Sequence, residues 1–467
     1  MSEKKSKGQE LLEKLSYKKR NFYEISTEKE IGKMYEYCEG YKDFLDKSKT
    51  EREATAYAIA AAEKNGYKPY NFGDKLVVGG KYYYNNHDKS VAVFKIGKNA
   101  LDTDGVRIIA AHIDSPRIDL KQNPMYEDSG FCFLKTHYYG GIKKYQWTTI
   151  PLALHGVVVL KDGSKVTVEI GEKTGDPVFY INDLLPHLAR EQVQQPLGKA
   201  IAGEDLNIVV GGLPYADEDV KEKIKLNVLK ELNERYGMTE EDFLSTEIAA
   251  VPAYGARDIG FDRAFIGAYG HDDRVCAYPT LTAILDSKDD DRTVLAILVD
   301  KEEIGSEGNT GMQCCVFNDI IDAIAAEFGV SAAKVRAASK CLSTDVTAGY
   351  DPNFASVFEK KNAAIVSCGA AMNKFTGAGG KSGSNDASAE FVGEVRKIFA
   401  DNDICWQTSE LGKVDIGGGG TIAKYVAKLN IDTVDMGVPV ISMHAPYELV
   451  SKADVYSTYL AFSAFIK

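Results

Sequence analysis

Apolar and polar positions follow two periods along this chain. Thr27–Asp46 places Ile31, Met34, Tyr35, Cys38, Tyr41 and Phe44 three or four residues apart, which predicts a helix with one buried face. Thr50 with Glu53 forms a capping box ahead of a helix over 54–64, and Gly66 ends it. Leu76–Val78, Lys81–Tyr84 and Ser90–Ile96 read as strands, with Asn85-Asn86 as a turn. Val106–Ala111 is a largely apolar strand interrupted by Arg107. The cleanest signal is Val294–Val299, an unbroken apolar run rich in β-branched residues. Such a short run, stopped by Asp300, is a strand buried on both faces.

From about 117 to 250 the texture changes. His155–Leu160 and Lys165–Ile170 flank Asp162-Gly163, a strong hairpin signal. Asp205–Gly212 is a further strand and Glu218–Tyr236 an amphipathic helix. Short strands with few helices predict a β-rich domain, 117–250, inserted into an α/β chain. After 250 the alternation resumes. A helix over 275–285 is kinked or delayed by Pro279, followed by the central strand and a helix over 320–328. Strands follow at Lys340–Thr344 and Ala363–Cys368, and a helix at Ser384–Asp401 capped by Ser384 or Asn385. Gly417–Gly420 opens a helix over 421–429, Thr433–Val440 is a strand, and Ala453–Phe465 closes the chain as a helix. The fold expected is α/β, a mixed sheet flanked by helices, built from 1–116 and 251–467.

At 467 residues the chain exceeds one typical core, in keeping with two domains. A net charge of −12 argues against a nucleic-acid partner, which requires a basic face. No apolar run reaches membrane-spanning length, and the charged N-terminus lacks a secretory core, so a cytoplasmic protein without membrane contact is expected. The eight cysteines contain no CxxC pair and read as free thiols in a reducing compartment.

Five predicted strands end in a His, Asp or Glu: His112 with Asp114, Asp272, Glu302 with Glu303, Asp345, and His444. In α/β sheets the carboxyl ends of strands are where ligands bind. Two adjacent carboxylates such as Glu302 and Glu303 cannot both enter a dry site without a cation. Imidazoles and carboxylates without Cys suit zinc, manganese or cobalt rather than a structural four-cysteine zinc site. Four carboxylates and two histidines exceed the needs of one ion. They fit a pair about 3.5–4 Å apart, with one bridging carboxylate and one left as base, a centre for amide or ester hydrolysis.

The segments HIDSPR, GHDDR, VDKEEIGSEG, STDV and ISMHAP, in this order, resemble the M18 family of metallo-aminopeptidases, the aspartyl aminopeptidases and their bacterial relatives, and THYYGGIKKYQW and PLALHG resemble it too. The resemblance covers the chain from about residue 20 to its end. It implies removal of N-terminal amino acids from peptides and a homo-oligomer, a dodecamer whose inserted domains pair as dimers. His112 and Glu303 would be terminal ligands of different ions, Asp272 would bridge them, and Asp345 and His444 would complete the set. Glu302 would be general base and acid, and Asp114 would orient His112. The peptide bond after Asp272 is often cis in such enzymes. His187 would be an electrophilic helper reaching in from a neighbouring subunit, or a third metal ligand, or a helix histidine with a backbone partner.

The chain departs from the aspartyl enzymes in one place. Asp345–Asn353 carries no histidine where they have substrate-gripping imidazoles, and aligning Lys374 with their substrate-binding lysine needs a gap. A broader or different N-terminal preference is therefore expected. Gly417–Gly420 lacks the Lys-Ser/Thr of a phosphate loop and reads as close backbone packing beside the substrate pocket; Gly377–Gly383 reads as a flexible loop near the site. His137 and His155 have no acidic partners legible in the sequence and read as structural. Two rivals remain: another two-metal amide hydrolase, such as a deacetylase or carboxypeptidase, and a non-catalytic assembly protein on the same fold.

Overall fold

The protein is seen in a computed structural model that describes residues 5–288 and 291–467; the first four residues of the charged N-terminal stretch lie outside it. The architecture is α/β, with three sheets. Thr293–Val299 is buried along its whole length, as an all-apolar run requires, and is central to a nine-stranded mixed sheet. It pairs antiparallel with Ser90–Lys95 and parallel with Val106–His112, in a register that sets Val299 beside His112. Lys340–Ser343 lies parallel on the other side of Val106–His112, and Asp432–Gly437 parallel beyond it. The carboxyl ends of these four strands therefore lie at one edge.

Helices cover both faces. Glu28–Asp46 starts at Thr27 and buries Met34, Cys38, Tyr41, Phe44 and Leu45, while Glu51–Lys64 starts at Thr50; each has its capping box closed. The last helix, Lys452–Phe465, packs against His271–Asp286.

A five-stranded sheet stands beside the nine-stranded one. Its order runs Arg257–Ile259, Phe265–Ala268, Glu448–Ser451, Pro439–Ile441, Thr347–Ala348. The sequence did not reveal this sheet, because its strands are three or four residues long at most and come from three distant segments. The seven-stranded sheet takes all its strands from Arg117–Pro252 and has its own apolar core around Leu134, Leu154 and Phe243. The expected hairpin is there: Leu152–Val159 pairs with Lys165–Ile170 around Gly163 at φ 86°.

Several local expectations are corrected. Leu76–Val78 is not a strand, and Val77 and Val78 are half exposed. The strand Lys81–Asn86 continues through the asparagines, and the turn falls on His87 and Asp88, both left-handed. Ala363–Cys368 is a loop because the buried carboxylate of Asp454 captures the Ser367 and Gly369 amides, with Ser367 at φ 65°; the strand is Ala370–Asn373. The helix expected from Ser384 begins at Ala389 with Ser388 as cap, since Ser384 Oγ accepts from Thr376 and Asp386 amides instead. The helix over 421–429 shrinks to Ala423–Ala427, and the one expected from Glu218 begins at Lys223. Thr433–Val440 is two strands, and Asp205–Gly212 shortens to Ile208–Gly211. In His271–Asp286 the break from helical geometry falls at Asp272 and Asp273 rather than at Pro279.

Candidate metal centre

The site lies where the nine- and five-stranded sheets meet. The nine-stranded sheet delivers His112 as the last residue of one strand, and Asp345 and the Glu302–Ile304 turn just past the ends of two others. Phe265–Ala268 leads into Asp272, and Pro439–Ile441 leads into His444. Lys301 and Gly305, both left-handed, fold the 302–304 turn back over the strand end.

Asp272 is at the middle. Its Oδ1 lies 3.1 Å from His112 Nε2, and its Oδ2 lies 3.2 Å from His444 Nε2. Asp345 Oδ1 is 3.6 Å from His112 Nε2, and Glu303 Oε2 is 3.6 Å from His444 Nε2. One carboxylate thus faces two imidazoles, each with a further carboxylate beside it. Among the described residues three groups have donor atoms close enough to share an ion: Asp272, Glu303 and His444; His112, Asp273 and Asp345; and His112, Glu302 and Glu303. The peptide bond between Asp272 and Asp273 is cis.

The imidazoles are aimed from behind. His112 Nδ1 lies 3.0 Å from the Asp114 carbonyl and 3.2 Å from Asp114 Oδ1, which turns Nε2 into the site. Asp114 also accepts the amides of Glu302 (3.1 Å) and Glu303 (3.2 Å) and the hydroxyl of Tyr139 (2.8 Å). One buried carboxylate therefore ties His112 to the turn that carries both glutamates. His444 Nδ1 meets the Gly141 carbonyl at 2.7 Å.

The electrostatics call for positive charge. Burial pushes Glu302 up to about 8, with the negative charge of Asp345 adding to it. Burial and Asp272 raise Glu303, and burial raises Asp345. Burial disfavours charge on His444, yet Asp272 and Glu303 push it up to about 10. Burial opposes ionisation of Asp272 too, but the two imidazoles hold it below the usual carboxylate range. His112 Nε2, Asp272 Oδ1, both oxygens of Asp273 and Glu303 Oε1 are buried without a hydrogen-bond partner. Orphaned donors of this kind, converging without a thiolate, are what a divalent cation satisfies. The residues present fit such an ion.

A sequence model of Aminopeptidase I zinc metalloprotease (M18) matches residues 44–466. The chain is 48% identical to the probable M18 family aminopeptidase 1 of Clostridium acetobutylicum, over 96% of this chain and 98% of that one. The chain belongs to the M18 zinc aminopeptidases. The crystal structure of the M18 aminopeptidase of Thermotoga maritima superposes with a TM-score of 0.92 at 40% identity, covering 97% of this chain and all of that one. The Saccharomyces cerevisiae mApe1 dodecamer shares the fold at a TM-score of 0.75 and 21% identity, over 91% and 95% of the two chains. The protein is a zinc-family metallo-aminopeptidase, a peptide hydrolase.

In this M18 enzyme His112, Asp114, Asp272, Glu302, Glu303, Asp345 and His444 come together in one cluster. Two sequence candidates do not. His187 is exposed in a turn-rich segment and joins none of the metal-capable groups. Lys374 donates to Asp386 at 2.6 Å, and Asp386 also holds Lys381 at 3.2 Å. Sequence reasoning missed Asp273, whose only signal was adjacency to Asp272. It missed Tyr139, inside the YYGG segment, and Glu448, four residues after His444. It also gave His155 no acidic partner. In the fold Glu53 Oε1 lies 2.7 Å from His155 Nδ1 and Glu172 Oε2 lies 3.5 Å from Nε2.

Proposed function

We propose that this aminopeptidase works through two divalent ions. Asp272, Glu303 and His444 would hold one, and His112 and Asp345 would hold the other, with Asp272 offering its second oxygen to it. The observation that carries this is Asp272 itself, with one oxygen 3.1 Å from His112 and the other 3.2 Å from His444. Zinc is the family metal, and manganese or cobalt suits the same donors. Bound there, the ions supply Lewis acidity toward a peptide carbonyl and lower the pKa of water toward roughly 7. Glu302, placed on the turn but absent from the Asp272 group, accepts a proton from the attacking water and returns it to the departing amine. Asp114 keeps His112 turned inward and both glutamates in place.

Residues 1–116 and 251–467 form the catalytic domain, and 117–250 an inserted dimerisation domain, in keeping with the self-contained sheet there. The mApe1 relative is a dodecamer, and a homo-oligomer built from dimers is the assembly we infer for this chain. His187, exposed and outside the cluster of its own chain, would act across a subunit interface. Lys374 would lie along the substrate, but its charge is committed to Asp386, which favours N-terminal residues other than acidic ones. Eight unpaired cysteines fit a cytoplasmic setting, and no helix among the described residues is long and apolar enough to cross a membrane.

The test uses metal-stripped protein given back zinc, manganese or cobalt, assayed on a panel of aminoacyl peptides and their N-acetylated forms. Metal-dependent release of the first residue from free-amine peptides alone is expected, with two ions bound per chain. Full activity with a single ion bound would overturn the two-ion reading.

A further inference from the structure

Glu448 lies in none of the metal-capable groups, yet it is buried, 2% exposed, against the centre. It opens the strand Glu448–Ser451, in the middle of the five-stranded sheet. On one side that strand pairs with Phe265–Ala268, Glu448 lying opposite Ala268; on the other it pairs with Pro439–Ile441. These two neighbours are the strands that run out into Asp272 and His444. The Asp272 amide donates to Glu448 Oε2 at 3.1 Å, and the His444 amide donates to Oε1 at 2.7 Å. Each oxygen of one carboxylate is thus spent on a different ligand-bearing segment.

Other contacts complete the clamp. The Asp272 carbonyl accepts the Ser115 hydroxyl. His444 sits at φ 67°, a left-handed conformation that a side chain other than glycine seldom adopts unless its surroundings impose it.

We propose that Glu448 is a positioning residue for the Asp272–Glu303–His444 half of the centre. Holding both amides on one carboxylate keeps Asp272 Oδ2 and His444 Nε2 3.2 Å apart. That is about the separation of two donors on one tetrahedral zinc, each bonded at roughly 2.0–2.1 Å. His112 and Asp345 take their places from the nine-stranded sheet and owe nothing to Glu448. Asp272 would serve both ions and His444 only one, so losing the carboxylate should weaken the ion at Asp272, Glu303 and His444 more than the one at His112 and Asp345. This rests on the two-ion reading above.

The experiment titrates zinc into metal-free wild type and Glu448→Gln against a competing chelator, and records the visible spectrum of the cobalt forms. Wild type should bind two ions. Glu448→Gln should bind the ion at Asp272, Glu303 and His444 about 10–100-fold more weakly, the usual cost of a lost outer partner, and the other ion with a distinctly smaller loss. The cobalt spectrum should lose the contribution of one site, and kcat should fall more than KM rises. Metal-free Glu448→Gln should melt with metal-free wild type. Should it fail to fold, Glu448→Asp, which keeps the charge but withdraws both oxygens, is expected to show the same selective weakening. Two ions bound as in wild type, or both weakened equally, would overturn the proposal. A wild type that binds one ion would instead remove the two-ion reading on which it stands.

Discussion

At the scale of single residues, the site separates those that would meet the ions from those that aim them. If Glu302 is the general base proposed above, Glu302→Gln should lower kcat by about 10²–10⁴-fold while the zinc content of the purified protein stays unchanged. Unchanged turnover would remove it as base. Tyr139 acts through Asp114, its hydroxyl donating at 2.8 Å to the carboxylate that orients His112. Tyr139→Phe should loosen metal binding about tenfold in a chelator competition, because Asp114 keeps its two amide donors and loses one of three supports. The ligand candidates themselves were legible, since each follows an apolar strand. Tyr139, Asp273 and Glu448 were not, since nothing in a linear pattern tells which tyrosine or glutamate a neighbouring strand will face.

At the scale of elements, caps and close backbone contacts govern what forms. Thr50 Oγ1 accepts the Glu53 amide and opens the helix Glu51–Lys64. Thr50→Ala should cost about 1 kcal/mol in denaturant unfolding. Gly418 carries φ 123°, and a side chain there would bring a β-carbon to 2.0 Å from the Gly377 carbonyl. The adjoining Gly377 amide donates to the Gly419 carbonyl, so the two glycine-rich loops are packed on each other. Gly418→Ala should push them apart, lowering the melting temperature and raising KM more than it lowers kcat; kinetics and stability matching wild type would show the contact to be dispensable. Long periodic elements such as Glu28–Asp46 and Thr293–Val299 could be read directly. The strand expected at Ala363–Cys368 could not, because Asp454, almost ninety residues further on, turns that run into a loop.

At the scale of the whole molecule, a band of charged groups joins the seven-stranded sheet to the rest. His155 and Glu53 meet at 2.7 Å, Lys49 and Glu172 at 3.2 Å, and Arg117 and Glu51 at 2.9 Å. Burial disfavours charge on His155, but Glu53 and Glu172 raise its pKa against that and against Lys49. Burial works against Glu53 as well, and His155 holds it lowered. A raised histidine stabilises the fold below its unfolded pKa and loses that contribution as pH climbs through the folded value. A lowered glutamate does so above its own unfolded pKa and loses it as pH falls. The pair should therefore help most between about pH 4.3 and 6.5. The melting-temperature gap between wild type and His155→Gln should be widest in that window and narrow above it; a gap constant with pH would show that His155 does not titrate there.

The sequence by itself determined the α/β class, the central buried strand, the break in texture near 117 and 250, and the residues that could meet a metal. Burial patterns and short capping motifs are local, and a strand's end is where the chain leaves the core, so its polar residues stand out in one dimension. Only the tertiary structure decided that His112, Asp272, Glu303, Asp345 and His444 point at one place. It also decided that His187 and Lys374 do not join them, and that Asp272 and His444 enter from a five-stranded sheet of short strands. Those outcomes depend on pairings between segments up to several hundred residues apart, whose register no local period records.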